Sequence, residues 1–364
     1  MQDTVDAMTR SDMAHHRLHS QRISAAPLKK PSDVVGWLVA VQAQDYAGAK
    51  WALGLRMQSV TDDDIEQVFA DGSILRTHVM RPTWHFVTPE DIRWLLALTA
   101  PRVHAANAYQ NRVLELDKAI FKHSNAALTK ALRDGKQLTR AQLASVLQKA
   151  GIDASGLRLS HLIMSAELDG IICSGARRGK QFTYTLLDER VPATQTLNRD
   201  EALAELTRRY FRSHGPATEE DLMWWSGLTR GDVRSGLEMV KRRLAHDMID
   251  GKTYWFAAST SSPNNSQTAY FLPNYDEYVV GYTDRCAIFD SSHADKVDAR
   301  NNPLFQHTIV INGQIAGTWK RILGKDAVTI ETNLFARLTN AENRAVAVAA
   351  RRYGDFLGTP VVLV

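Results

Sequence analysis

Ile171 to Leu187 reads I-I-C-S-G-A-R-R-G-K-Q-F-T-Y-T-L-L, two apolar and β-branched runs around the glycine-rich cationic tip Gly175-Ala176-Arg177-Arg178-Gly179-Lys180. Such a pattern predicts a β-hairpin. Just upstream, Leu138-Thr139 caps a helix predicted over Arg140 to Ala150, and Ser155 to Leu168 carries a second helical pattern. Helix, helix, hairpin is the order of a winged helix. A cationic tip of this kind rarely has a packing role, so Arg177, Arg178 and Lys180 are read as phosphate contacts.

The same order of elements stands on either side. Towards the N-terminus, Ser32 is placed to cap a helix over Asp33 to Val41, and Thr61 to Asp64 cap a helix that Gly72 ends. Two short strands are then predicted within Ile74 to Val87, around Arg81-Pro82, and a helix over Asp91 to Ala100 follows with Pro89 in its opening turn. Towards the C-terminus come helices over Asp200 to Ser213, Glu219 to Trp225 and Arg230 to Leu244, then a hairpin over Met248 to Phe256 turning at Asp250-Gly251. The repetition lies in element order, not in residue-level similarity. Past residue 258 the pattern changes to a polar loop over Ser259 to Gln267, a strand-like stretch within Ala269 to Asp290, a hairpin at Asn312-Gly313, a strand over Ala327 to Leu334 and a helix over Asn340 to Phe356. The predicted fold is α+β, with tandem winged-helix (helix-turn-helix) motifs followed by a small β-barrel-like domain. Its segments are 14–100, 101–190, 191–258 and 259–364, the first carrying the candidate catalytic motif.

With 44% hydrophobic and 23% charged residues, the chain of 364 has the make-up of an ordinary globular protein of two or more domains. No apolar run is long enough for a membrane helix and the N-terminus lacks a secretion signal, so a cytoplasmic protein is expected. Cys173 and Cys286 have no partners at metal-ligand spacing. Between Arg102 and Arg190, fourteen Lys and Arg stand against eight Asp and Glu, a local excess that suits phosphate contacts as well as it suits a solvated basic face. Residues 1 to about 12 are expected to be disordered. The basic, histidine-rich helix over Ala14 to Ile23 is read as a solvated face.

Val41 to Arg56, V-Q-A-Q-D-Y-A-G-A-K-W-A-L-G-L-R, sets Gln42 and Gln44 one residue apart and ahead of a short helix. On extended backbone the two amides project the same way and could hold one water between them; taken alone, the residues favour the plainer reading, in which they cap or bridge loops. Asp45 serves either as a negative charge beside the site or as the N-cap of the helix, and the cap is favoured. Arg76, Arg81 and His85 lie on the first hairpin. They read as phosphate or lesion contacts, or as a turn arginine and a packed core histidine. Trp224 and Trp225 sit mid-helix among apolar neighbours and read as core.

Five blocks in order, V-Q-A-Q-D with W-A-L-G-L-R, R-T-H-V-M-R-P-T-W-H-F-V-T-P-E-D, H-G-P-A-T-E-E-D-L-M-W-W-S-G-L, F-L-P-N-Y-D-E-Y-V-V-G-Y-T-D-R and I-N-G-Q-I-A-G-T-W-K-R, resemble the bacterial winged-helix DNA glycosylases of the azinomycin-resistance, crosslink-unhooking type. The resemblance runs from about Ala14 to the C-terminus. It implies tandem winged helices and a β-barrel clasping duplex DNA, with a Gln-x-Gln catalytic motif falling on Gln42, Ala43 and Gln44. The expected activity is excision of N7-alkylated purines, bulky adducts and interstrand crosslinks within range, in DNA repair. An N7-alkylated purine is already a good leaving group, so the chemistry reduces to aiming a water at the anomeric carbon and favouring the positive charge that grows there. No lysine lies inside the motif, which predicts a monofunctional enzyme, and no metal or cofactor is required; three winged-helix copies with no long heptad helix suit a monomer on double-stranded DNA with alkylated purines. Asp276 and Arg285 fall in the fourth block with no role readable from sequence. The competing expectation is a non-catalytic winged-helix DNA-binding or regulatory protein.

Overall fold

The computed structural model describes residues 8–193, 196–258, 268–297 and 306–364. The polar loop predicted over Ser259 to Gln267 lies outside them, as do Met1 to Ala7. The first helix, α1 (Arg10–Ser20), starts within the stretch expected to be disordered, because Thr9 and Asp12 form a capping box. It is not a solvated face throughout, since Arg17 is fully buried and stacks on the Tyr282 ring at 3.7 Å. Helix α2 (Pro31–Leu38) begins one residue before the expected cap, with Pro31 at the first turn and Lys30 in place of Ser32 at the cap. Strand β1 (Val41–Gln42), α3 (Tyr46–Gly54), α4 (Asp62–Asp71), β2 (Leu75–Val79) and β3 (Arg81–Val87) follow. The strands form a sheet of order β1-β3-β2, in which Gln42 pairs with His85. Gly72, at φ 89°, ends α4 as the sequence predicts.

Helix α5 (Pro89–Val113) runs past Ala100, its expected end, and carries Pro101 within it. Proline costs a helix one hydrogen bond. Beyond it, Val103 is buried, His104 Nε2 meets Asp169 at 3.0 Å and Asn111 Oδ1 meets His161 at 2.7 Å, and these contacts hold the rest of the helix in place. The sequence reading leaves the next helix, α6 (Lys118–Leu132), unassigned. Asp117 caps it, and its buried stripe of Ser124, Leu128 and Leu132 includes a polar residue that weakens the periodic signal. Then come β4 (Leu138–Thr139), α7 (Arg140–Lys149), α8 (Gly156–Leu168), β5 (Ile172–Ser174), β6 (Thr183–Leu186) and the short α9 (Leu187–Arg190), with a sheet of order β4-β6-β5.

Helices α10 (Arg199–His214), α11 (Glu219–Ser226) and α12 (Arg230–Val240) each open on a capping box. The last of them stops short of Leu244 and passes into a single 3₁₀ turn. Strands β7 (Ala245–Ile249) and β8 (Lys252–Phe256) turn at Asp250 and Gly251, both at positive φ. After β9 (Ala269–Leu272) and the one-turn α13 (Glu277–Val280) come β10 (Thr308–Ile311), β11 (Gln314–Leu323), β12 (Val328–Leu334), α14 (Asn340–Leu357) and β13 (Val361–Leu363). A curled five-stranded half-barrel of order β13-β12-β11-β10-β9 results. The strand β13, unpredicted from sequence, joins its edge in parallel with β12.

Three cores hold these elements. Leu128, Leu143, Leu162 and Ile172 belong to a core built entirely from residues 116–186. A second joins β2, β3 and α5 to α10, α11 and α12 through Leu95, Tyr210, Leu222 and Trp225. The largest joins α1 to α4 with the half-barrel and α14, through Leu38, Trp51, Phe271, Ile309 and Tyr353. Each fully buried leucine or isoleucine contributes about 1.5–3 kcal/mol, so the N-terminal and C-terminal ends of the chain are bound to each other by their main source of stability.

Candidate active site

Pairing of β1 with β3 continues through Ala43, whose N–H donates to the Trp84 carbonyl at 2.7 Å. Gln42 therefore sits on strand β1, while Gln44, two positions on, lies in the bend that leads into α3. Gln42 is 8% exposed and Gln44 is open to solvent. The Gln42 side chain is fixed, because its Oε1 accepts from Arg81 Nη2 at 2.9 Å. Its main chain is fixed too, by donation from N–H to Glu277 Oε1 at 2.9 Å. Asp45 caps α3, accepting from Gly48 N–H at 3.1 Å.

Behind Gln42 lies a closed polar cluster. Glu277 is fully buried, and its second oxygen accepts from Trp225 Nε1 at 2.8 Å and lies 3.4 Å from His214 Nε2. His214 Nδ1 meets Ser213 Oγ at 2.8 Å, and its ring stacks on Tyr210 at 4.8 Å. The pairing with a carboxylate assigns the proton to Nε2. Burial pushes His214 below the usual histidine range. Burial also opposes ionisation of Glu277, but the bonds from His214, Gln42 and Trp225 outweigh it and hold the carboxyl below its ordinary value. The pair is thus a neutral imidazole donating to a carboxylate. Gly281 permits it, since a side chain there would press on His214 Cδ2 at 2.8 Å.

Arg81 joins this cluster to the surface. Its Nη1 donates to the carbonyls of Trp224 and Trp225 at 3.3 and 3.0 Å, on the opposite side from Gln42. His85 is buried, donates through Nδ1 to the Thr83 carbonyl at 3.0 Å and leaves Nε2 buried without a partner. Burial, with Arg81 nearby, pushes it down to about 3, so it is neutral at physiological pH. The two tryptophans divide. Trp225 is core as expected, whereas Trp224 is 42% exposed while its Nε1 donates to the Val280 carbonyl at 3.0 Å. Asp276 pairs with Arg56 in a fully buried bidentate contact at 2.9 Å, and Arg285 donates instead to the Val279 carbonyl.

The second hairpin packs beside the glutamine loop through a ladder of cations and rings. Arg76, buried, donates to the Ala43 carbonyl at 3.0 Å and lies between Trp84 and Phe182 at 4.3 and 4.4 Å; burial pushes it down to about 10. Arg177 lies over Tyr46 at 4.8 Å and Phe182 at 5.2 Å and pairs with Glu66 at 3.0 Å. Arg177 therefore has the packing role that the sequence denied to the tip. Arg178 and Lys180 are exposed, and the former is braced on the Gln137 carbonyl at 2.5 Å. Sequence reasoning missed Glu277 and His214. The only local signal was an acid followed by the apolar run Y-V-V in Y-D-E-Y-V-V-G-Y, and His214 in R-S-H-G-P had none; both are legible only once the partners are known to meet.

Comparison with known proteins places the fold and the family. The solved structure of Streptomyces sahachiroi DNA glycosylase AlkZ superposes with a TM-score of 0.80 at 21% identity, covering 98% of this chain and 99% of that one, so the fold is shared. In sequence, the interstrand DNA cross-link repair glycosylase of Streptomyces sahachiroi is 23% identical over 332 residues, 84% of this chain and 85% of the relative. The family described as DNA glycosylase AlkZ-like matches residues 35–356. Spanning most of its length, that match makes the chain a member of the AlkZ-like DNA glycosylase family.

Proposed function

We propose that this protein is a monofunctional glycosylase that releases N7-alkylated purines from duplex DNA, bulky adducts and interstrand crosslinks included, using a water positioned by Gln42 and Gln44. The observation that carries the reading is the pairing of a locked glutamine with an open one: Arg81 fixes the Gln42 amide while Gln44, two residues on in the bend before α3, faces solvent. A carbonyl oxygen has two lone pairs. Arg81 uses one on Gln42, which leaves the other, with the Gln44 oxygen, to accept the two hydrogens of a water and aim its lone pair at the sugar. Neither amide is a strong base, so the substrate must bring its own leaving-group activation, as a cationic N7-alkylpurine does. Asp45 is engaged as a helix cap and contributes charge only at a distance.

Lys50, the nearest lysine in sequence, is buried and bonded to Asp62 at 2.6 Å and Glu66 at 3.0 Å. An ammonium held by two carboxylates is a poor amine nucleophile, which supports water over a Schiff base. In this reading the three helical units with their hairpins act as winged helices along one duplex, with one chain sufficient, and Arg178 and Lys180 take phosphates. Arg76, Arg81 and His85 act from behind the site. The test is incubation of the wild type with a labelled duplex holding N7-methylguanine or a crosslink, followed by alkali. Base release that leaves an alkali-labile site, with no borohydride-trapped adduct, is expected. Tight binding without release from either substrate would sink the proposal in favour of a non-catalytic DNA-binding protein.

A further inference from the structure

Gln42 is held from two sides by opposite charges. Glu277 takes its main-chain N–H at 2.9 Å, and Arg81 donates to its side-chain oxygen at the same distance. A guanidinium so close to the site is a liability for an enzyme whose substrate base is cationic and whose sugar becomes cationic as the bond breaks. Like charges this near each other in a partly buried site repel far more than they would in water. Yet Arg81 is needed, since it also ties β3 to the end of α11 through the Trp224 and Trp225 carbonyls. Glu277 has no exposed surface, and of the polar groups bonded to it, Gln42 N–H, Trp225 Nε1 and His214 Nε2, none is a permanent cation. Burying a carboxylate without a paired cation in contact is expensive. Its bond to the backbone of the very residue that Arg81 clamps gives that cost a purpose.

We propose that Glu277 is a charge-balancing and positioning residue: its carboxylate offsets the Arg81 guanidinium across Gln42, so that a cationic base and an oxocarbenium-like sugar are accepted beside an arginine. This inference rests on the glycosylase reading above. It assigns to Glu277 the electrostatic part that the sequence offered to Asp45. Arg81 and Glu277 work as a pair, one orienting the amide and the other cancelling the field this would otherwise impose.

The test compares affinities for two abasic-site duplexes, one with a neutral tetrahydrofuran and one with a cationic pyrrolidine sugar mimic. Glu277→Gln keeps the size and an acceptor for the Gln42 N–H, and is expected to lower the preference for the cationic mimic by about tenfold or more. Arg81→Gln keeps a donor for Gln42 and is expected to raise that preference. Opposite signs from two neighbouring substitutions are what charge balance requires, and a purely structural role would weaken both duplexes alike. An unchanged preference in both variants, or a fall in both, would overturn the inference. Should Glu277→Gln fail to fold, Arg81→Gln decides alone, a rise supporting the pair and no rise overturning it. Excision of N7-methylguanine by the wild type, run alongside, separates the two levels of the argument. With no release from this duplex or from a crosslinked one, the glycosylase reading and this inference fall together, whereas release with unaltered mimic preferences sinks the inference only.

Discussion

Leu128, Leu143, Leu162 and Ile172 close their core within one continuous stretch, residues 116–186, whereas Gln42 meets Glu277 across 235 residues of chain. The first region is local in sequence, and its caps, periodicity and turn residues all point the same way. The second is assembled only when the N-terminal helices pack on the half-barrel and α11 closes over β3. Local folding supplies the scaffold and long-range packing supplies the chemistry. The candidate site is therefore only as stable as the contacts that join the two ends of the chain.

The sharpest way to break that link is at Arg56 and Asp276, a fully buried pair that ties α3 to the turn opening α13. Asp276→Asn or Arg56→Met strands one buried charge and is expected to cost about 3–5 kcal/mol in urea unfolding, with excision lost as the fold is lost. Leu162→Ala, in the local core, is expected to cost about 2–5 kcal/mol. Hydrogen exchange should then show faster opening confined to α7 and α8, while α3 and α13 keep their protection. Equal acceleration in both regions would mean that the local core is not a separate unit.

Acid should act on the long-range assembly more than on the local one. Burial pushes His85 down to about 3 and His307 to about 4, and holds His214 below its usual range. Such histidines stay neutral in the fold but take up a proton when unfolded, so their contribution is fully present above about pH 6.5 and is lost as pH falls towards those lower values. The melting temperature is expected to decline between about pH 6.5 and 4, less steeply in His85→Gln than in the wild type. The smallest effects belong to the exposed tip. Arg178→Ala and Lys180→Ala are each expected to weaken duplex binding severalfold and to reduce the salt slope by about one, leaving stability unaltered.

How much was legible follows the same division. The second hairpin, the caps at Thr61 and Thr139, and the turns at Asp250-Gly251 and Asn312-Gly313 are encoded by neighbours in sequence, and the structure places them as predicted. Helix α6 was missed because its buried stripe is thin, and α5 outruns its expected end at Ala100 because tertiary contacts hold it beyond Pro101. At the site, Gln42 and Gln44 were marked by their spacing and Asp45 by its cap. Glu277, His214 and the inward turn of Arg177 depend on the contacts His214–Glu277, Gln42–Glu277 and Arg177–Glu66, each spanning more than sixty residues, which no local pattern records.

The most direct measurement is single-turnover release of N7-methylguanine by the wild type and by Gln42→Ala/Gln44→Ala, with the dissociation constant of each for the same duplex. If the two amides place the water, the rate falls by about 10²–10³ while the dissociation constant moves less than about threefold. Release within about tenfold of the wild type, or a rate that falls only in step with lost binding, would contradict the assignment of the water to those glutamines.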